Sequence, residues 1–223
     1  MRRFLVIAAL VLGLPGLAHA QSGGMANGWY LELAAGANFA DDMTYCFNDT
    51  VCGVPQDLDL DSGLYAGVRL GKRIGNPFRA ELELGYRTND AENDAIVGLV
   101  GGSPDMGSID ALNIMVNGIA DLPLSDGFSL YGGAGIGAVM VEADVKSSFA
   151  DCGVNRTERD WGLGVQGILG AAFAVSPSVE LILDYRLLHS PNVLIRNFCG
   201  GFDDHIDDDY TAHTLSIGIR IPL

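Results

Sequence analysis

The sequence predicts an all-β protein, an eight-stranded antiparallel up-and-down transmembrane β-barrel. Three observations lead to this prediction: eight segments in which apolar and polar side chains alternate, connections that are in turn short and long, and 30 glycines among 223 residues. Alternation is the pattern of a strand with two different faces. Glycine disfavours helices, costing about 1 kcal/mol per helical position relative to alanine. A closed sheet is the alternative to helices that satisfies every backbone polar group in lipid.

The N-terminus has the three parts of an export signal. Met1-Arg2-Arg3 is basic, Phe4–Leu17 is apolar, and Ala18-His19-Ala20 matches an A-x-A cleavage site. The apolar run is shorter than the roughly 20 residues that a spanning helix needs. The sequence therefore predicts a signal peptide at 1–20, cleaved before Gln21, and one barrel domain at 21–223.

The chain is strongly acidic. Its formal net charge is −15, and removal of the signal with its two arginines makes it −17. Such a charge argues against nucleic acid and against direct binding to anionic lipid headgroups. We expect the acidity mainly to keep the exterior solvated.

Three segments show the alternation most clearly. Arg79–Arg87 has charged side chains and glycine on one face and apolar side chains on the other, and Leu64–Lys72 and Val179–Leu187 repeat the arrangement. The other predicted strands are Trp29–Phe39, Ile109–Ala120, Phe128–Val141, Trp161–Val175 and Tyr210–Leu223. Phe128–Val141 and Trp161–Val175 alternate poorly, because glycine and alanine occupy both faces, and their assignment rests on position and length.

The connections predict the topology. Short turns rich in turn-forming residues lie at Gly75–Phe78, Pro123–Gly127 and Ser176–Ser178. Long polar loops cover about 40–61, 88–108, 142–160 and 189–209. In outer-membrane barrels short turns face the periplasm and long loops face outside. Aromatic residues near the strand ends on the predicted lipid face are typical of interfacial girdles; these are Trp29, Phe39, Tyr86, Phe128, Trp161, Phe173 and Tyr185.

Four strand sequences carry a resemblance to a known family. They are LYAGVRLGKR at 64–73, LYGGAGIGAVMV at 130–141, ELILDYRLLHS at 180–190 and HTLSIGIRIPL at 213–223. Together with the export signal they resemble the small outer-membrane β-barrel superfamily, the porin-like, opacity-protein-like and OmpA-type barrels. The resemblance implies a monomer in a Gram-negative outer membrane, inserted by the barrel assembly machinery among lipid and lipopolysaccharide.

All four cysteines, Cys46, Cys52, Cys152 and Cys199, fall in the predicted long loops. Export to an oxidising compartment favours disulfides. We prefer the pairs Cys46–Cys52 and Cys152–Cys199, of which the second would tie the third loop to the fourth. A metal site is the alternative, but the chain has no C-x-x-C spacing. No metal or cofactor is predicted.

Charged side chains on the inner face form a predicted lumen network. An isolated buried charge costs several kcal/mol, so charges at this density must be paired. We favour an ion-paired plug, and a narrow ion pathway is the alternative. The members are Glu32, Arg69, Arg79, Glu81, Glu83, Arg87, Glu180, Asp184, Arg186 and Arg220, and Lys72 is assigned to the same face.

The predicted loops carry most of the acidity. The first contains Asp41, Asp42, Asp49, Asp57, Asp59 and Asp61, and the fourth contains Asp203, Asp204, Asp207, Asp208 and Asp209. Asp57–Gly63 has some similarity to a calcium loop, but it lacks the glycine at the sixth position and the glutamate at the twelfth. Solvation is the preferred interpretation, with weak binding of a hard cation as the alternative.

Catalysis is not expected. His189 and Ser190 are adjacent in the chain, so on a strand they point to opposite faces and cannot act as a pair. The sequence predicts a barrel with a structural or adhesion-like role, whose acidic loops meet a host or cell-surface ligand. A narrow porin-like channel and a lipid-modifying enzyme are the alternatives.

Overall fold

The structure is a computed structural model that describes residues 28–46, 56–92, 105–145, 156–196 and 205–223. The predicted signal peptide lies outside these residues. The strands are β1 Trp29–Ala40, β2 Met43–Cys46, β3 Gln56–Leu60, β4 Gly63–Arg73, β5 Phe78–Glu92, β6 Asp105–Ser125, β7 Phe128–Val145, β8 Arg156–Ser176, β9 Val179–Arg196 and β10 His205–Pro222. Within the described ranges, no helix is long and apolar enough to cross a membrane.

Eight of the strands form a closed antiparallel ring. Its order is β1, β4, β5, β6, β7, β8, β9, β10, and β10 pairs back to β1. Leu33, for example, lies between Val68 of β4 and Ile219 of β10. The predicted eight-stranded up-and-down barrel is confirmed.

Two short strands occupy part of the predicted first loop. β2 follows β1 after a break at 41–42 and pairs with β10, while β3 precedes β4 and pairs with β5. Met43 and Leu58 pair across this hairpin, and both side chains are buried, which accounts for the continued sheet. The prediction that no cysteine lies in a strand is wrong, because Cys46 ends β2.

Several strands extend further from the turns than predicted. β9 ends at Arg196 instead of Leu187, because its inner face continues with buried Leu188, Val193 and Ile195. The inward positions shift by one residue at Asn192, where φ is 56° and the pairing with β10 is irregular. A strict period of two therefore ends before the strand does.

The outer face carries the apolar side chains expected to meet lipid. Leu82, Leu169 and Ile217 are 50%, 64% and 64% exposed, and the aromatic Trp29 and Trp161 are also exposed near strand ends. The assignment of Lys72 to the inner face is wrong. Its side chain is exposed, and its Nζ lies 5.0 Å from the ring centroid of Trp29. Lys72 is two residues from the outward Leu70, so its side chain points to the same outer face.

Inward glycines explain the poor alternation of two strands. Gly170 of β8 pairs with Tyr131 of β7, and a Cβ on Gly170 would lie 2.2 Å from Tyr131 Cζ. Gly71 of β4 pairs with Tyr30 of β1 in the same way, and a Cβ on Gly71 would lie 1.9 Å from Tyr30 Cζ. The space above each glycine is filled by a tyrosine of the neighbouring strand, so glycine stands at inward positions where the pattern would otherwise show a larger side chain.

The wall has a seam between β8 and β9 on the side away from the short turns. The pairing of these strands ends at Val165 and His189, although both strands continue with their other neighbours. Pro191 has no N–H to contribute to a ladder. Across the seam, the backbone N of Leu194 donates to Asp160 Oδ2 at 2.9 Å. A side chain thus replaces the missing ladder bond.

Candidate functional site

The middle of the lumen is occupied by a buried ion-pair network. Arg69 of β4 donates through Nη1 to Glu32 of β1 and to Asp184 Oδ2 of β9, the latter at 2.8 Å. Its Nη2 donates to the Tyr65 hydroxyl at 3.0 Å. One guanidinium therefore joins three strands across the interior.

Arg186 completes the network from the opposite side. Its Nη1 lies 2.5 Å from Glu83 Oε2, and its Nη2 lies 3.1 Å from Glu81 Oε1 and 3.3 Å from Asp184 Oδ2. Asp184 is thus shared with Arg69, and it also accepts a bond from Ser216 at 2.7 Å. Sharing satisfies the lone pairs that burial removes from water.

Further pairs lie toward the short turns. Arg220 donates from Nε to Glu32 Oε2 and from Nη1 to Glu180 Oε2, both at 2.9 Å. Arg79 lies 3.2 Å from Glu81 Oε2 and 3.1 Å from Asp121 Oδ1. Of the ten predicted network residues, nine are at most 3% exposed, whereas the Glu180 side chain is 31% exposed at the end of the barrel that carries the short turns.

Arg87 differs from the other buried arginines. Its Nε donates to Thr214 Oγ1 at 3.1 Å, its Nη1 donates to Asn113 Oδ1, and its guanidinium lies 4.9 Å from the ring centroid of Tyr65. These partners are neutral. The structure therefore places Arg87 inside the barrel but outside the ion-pair network.

Sequence reasoning missed the neutral part of the network. The Tyr30 hydroxyl donates to Glu81 Oε2 at 3.0 Å, and Gln166 Nε2 donates to Glu83 Oε2 at 2.7 Å. The other missed residues include Asn38, Tyr65, Asn89, Asn113, Asn117, Tyr131, Thr214 and Ser216. They occupy the alternate positions of their strands whose side chains face inward. The period of two along each strand was the signal that could have identified them.

An apolar core fills the part of the lumen nearer the long connections. Buried side chains from β2, β3, β5, β6, β7, β9 and β10 make up this core: Met43, Leu58, Ala91, Ile109, Ala111, Met115, Val139, Val141, Ala143, Leu188, Val193, Ile195, Ile206, Tyr210 and Ala212. A hydrated ion would have to lose its water here without gaining polar partners. This region is suited to holding the strand ends on its side of the barrel rigid.

We call the strand ends opposite the short turns the collar, comprising 41–46, 56–62, 88–92, 105–111, 141–145, 156–160, 188–196 and 205–212. Among its described side chains the carboxylates are Asp41, Asp42, Asp59, Asp61, Asp90, Asp110, Glu142, Asp144, Glu158, Asp160, Asp207, Asp208 and Asp209. Arg159 is the only lysine or arginine among the same side chains. No group of three or more potential metal ligands occurs in the described ranges. The collar therefore presents an acidic surface.

His189 and Ser190 lie on opposite sides of the wall. Ser190 is fully buried, whereas the His189 side chain is 40% exposed and its Nδ1 lies 3.0 Å from Thr211 Oγ1. The two side chains are not brought together as a catalytic pair.

The predicted disulfides fall largely outside the described residues. This holds for Cys52, Cys152 and Cys199, and of Cys46 the structure describes the backbone alone. The pairing stays a prediction.

Comparison with known proteins identifies the family. Residues 6–220 match the model of the outer membrane protein beta-barrel domain. This chain belongs to that family. The resemblance noted in the sequence is confirmed, and the protein is an outer-membrane β-barrel protein.

Similar proteins agree with this assignment. Two Rickettsia proteins named "Putative adhesin", from Rickettsia bellii (strain RML369-C) and Rickettsia felis (strain ATCC VR-1525 / URRWXCal2), are 25% and 24% identical, with full coverage of both chains. The structure of OprG from Pseudomonas aeruginosa matches with a TM-score of 0.60 at 13% identity, covering 88% of this chain and 98% of OprG. Neisserial surface protein A matches with a TM-score of 0.55 at 17% identity, covering 88% and 97%. These two likenesses show the fold.

Proposed function

We propose that this outer-membrane barrel is a non-enzymatic surface-interaction protein with an adhesion-like role. Its collar and the loops that the collar carries bind a ligand outside the cell, while ion pairs close the lumen. The observation that carries this proposal is the apolar core of the collar. Buried apolar packing makes the strand ends a rigid base, and recognition residues on loops act best from a rigid base.

The lumen network supports a closed barrel. Arg69 and Arg186 bind carboxylates from several strands at once, and both guanidinium groups are buried. An eight-stranded barrel has an interior that side chains fill. The side chains in the middle of the lumen contact one another, and the apolar core follows on the extracellular side.

The relatives support the adhesion-like role. Both Rickettsia proteins align over their whole length with this chain, so the alignment extends across the segments between the strands as well as the strands. Insertion among lipopolysaccharide by the assembly machinery, after cleavage of the export signal, belongs to the same proposal.

The surface charge supports a ligand with basic groups. Asp59, Asp90 and Asp207 are exposed on the collar, and carboxylates predominate around them. Complementary charge increases association rates, and this effect weakens as salt screens it. The proposed ligand is therefore a host or cell-surface protein that presents lysine or arginine.

Adhesion can be tested by display of the full chain on a non-adherent Gram-negative host. We expect the displaying cells to bind cultured host cells or a surface coated with basic protein, and expect binding to fall in high salt. A triple variant with Asp59→Asn, Asp90→Asn and Asp207→Asn should bind less. Asp126→Asn, at an exposed periplasmic turn, is the matched control and should not change binding. Equal binding by displaying and non-displaying cells would contradict the proposal.

A narrow channel is the second candidate function. Asp184 is shared by Arg69 and Arg186, so the ion pairs have alternative partners and could exchange them. Planar-bilayer recordings of refolded, disulfide-intact protein distinguish the two functions. Discrete conductance steps that change in Arg69→Ala would establish a channel. A silent bilayer with folded protein, which we expect, supports the closed barrel.

A further inference from the structure

The inference concerns Arg87, a buried cation without a carboxylate. Arg87 is fully buried, and its hydrogen-bond partners, Thr214 and Asn113, are neutral. Among the residues that the structure describes, no carboxylate oxygen forms an ion pair with it. The other four buried arginines, Arg69, Arg79, Arg186 and Arg220, each pair with at least one carboxylate.

The carboxylates of the lumen are bound by arginines other than Arg87. Asp121 and Glu180, nearer the short turns, pair with Arg79 and Arg220. The almost fully buried carboxylates are Glu32, Glu81, Glu83 and Asp184. All four carboxylates already bind other arginines. Removing a cation from water without a counterion costs several kcal/mol. On the extracellular side, buried Asp110 accepts a hydrogen bond from Tyr86, and among the described residues it forms no ion pair with Arg87.

The neutral partners stabilise Arg87 but do not neutralise it. The Thr214 hydroxyl accepts a hydrogen bond from Arg87 and donates one to Asn38 Oδ1 at 2.8 Å. Asn38 Nδ2 donates to Asn89 Oδ1 at 2.7 Å, and Asn89 donates to the Asp61 carbonyl at 2.7 Å. Each oxygen in this series of hydrogen bonds accepts from the group nearer to Arg87. The series thus points the negative ends of its dipoles toward the cation and leaves the net charge of Arg87 in place.

Two hydrogen-bond donors at this point have no partner. Arg87 Nη2 and Asn113 Nδ2 are buried, and neither has an acceptor among the described residues. They belong to side chains that already touch, since Arg87 Nη1 donates to Asn113 Oδ1. Arg69, Arg79 and Arg186 also have one unpartnered nitrogen each, but their charge is balanced by carboxylates.

We propose that Arg87 and Asn113 hold a small inorganic anion, of the halide class, inside the barrel. A water molecule could accept from both donors, but it carries no charge to pair with the guanidinium. A halide ion accepts several hydrogen bonds and places a negative charge in direct contact with Arg87. Chloride is the abundant ion of this class outside a cell.

The decisive variant is Asn113→Asp. It keeps the shape of the side chain and replaces the unpartnered amide nitrogen with a carboxylate oxygen, so that Arg87 gains an ion pair with the side chain that it already contacts. The variant should not need the anion. Asn117→Asp is the matched control, because Asn117 lies on the same strand and face but donates to Glu81 and Glu83.

The test is urea unfolding of refolded, disulfide-intact protein in detergent, in sodium chloride or sodium gluconate of equal concentration. We expect the urea midpoint of the wild type to rise with chloride and saturate, as ligand binding to the folded state requires. Asn113→Asp should have a higher midpoint in gluconate and lose the chloride dependence. Asn117→Asp should have a lower midpoint and keep the dependence. The same midpoint for the wild type in both salts would overturn the proposal.

Crystals of the wild type grown in sodium bromide provide a second measurement that does not depend on a variant folding. An anomalous bromide peak between Arg87 and Asn113, missing in Arg87→Gln or Asn113→Asp crystals, is the expected result. The absence of a peak in the wild type, or a peak that persists without the Arg87 charge, would overturn the site.

Discussion

Arg186 of β9 and Glu83 of β5 lie on opposite sides of the ring, yet Arg186 Nη1 is 2.5 Å from Glu83 Oε2. Four steps around the ring separate the two strands in either direction. The pair therefore spans the full width of the lumen, and both side chains are almost completely buried. This contact blocks the interior at the height of Arg186 and Glu83. It also links β5 and β9, which form no backbone hydrogen bonds with each other.

Loss of this link should destabilise the barrel. We expect Arg186→Ala to lower the free energy of unfolding by about 3–5 kcal/mol, because it leaves Glu83 buried without its nearest cation. Urea unfolding in detergent micelles measures the change. Arg159→Ala is the control, since Arg159 is exposed and lies 3.9 Å from Glu142, and it should change stability by less than about 1 kcal/mol. Equal effects of the two substitutions would contradict a structural role for the network.

The tyrosine above Gly170 gives a second prediction. Gly170→Ala places a methyl group against the Tyr131 ring and should cost about 1–3 kcal/mol of stability. Gly167→Ala on the same strand points outward, with nothing within 4 Å of the new atom, and should be nearly neutral. The stability of the two variants can be compared by their heat-modified mobility on detergent gels and by their urea unfolding midpoints. An unchanged Gly170→Ala protein would show that the Tyr131 side chain can move elsewhere.

The seam between β8 and β9 should open locally when its side-chain bridge is removed. Asp160→Ala takes away the acceptor of the Leu194 N–H, so we expect faster amide hydrogen exchange at Leu194 with little change in global stability. Glu158→Ala, two residues away on the same strand, is the matched control. Slow exchange at Leu194 in both variants would mean that the seam is held by other contacts.

The disulfide prediction can be checked by non-reducing peptide mapping. We expect one peptide pair joining Cys46 to Cys52 and another joining Cys152 to Cys199. Reduction of the second bond should free the third and fourth loops from each other and lower the stability of the collar, because closing a long loop restricts the unfolded chain. A peptide that joins Cys46 to Cys199 would show that the preferred pairing is wrong.

Period-two alternation made much of the fold predictable. Segments such as Arg79–Arg87 show which side chains face inward, because successive side chains of a strand point to opposite sides. The same rule fails at irregular points. At Asn192 the parity of β9 shifts, so the buried Val193 and Ile195 could not be assigned to the strand that contains Leu188.

The amino-acid sequence alone determined the order of the eight ring strands, the inner and outer faces of their regular segments and the position of the short turns, since each depends on neighbours along the chain. Closure of the ring decided the rest. It brings Arg186 to Glu83 across the lumen, gives Met43 and Leu58 a place in the collar core, and leaves Arg87 with neutral partners. Alternation says only that a side chain points inward. Which groups it meets there depends on the register and width of the closed barrel, and these are properties of all eight strands together.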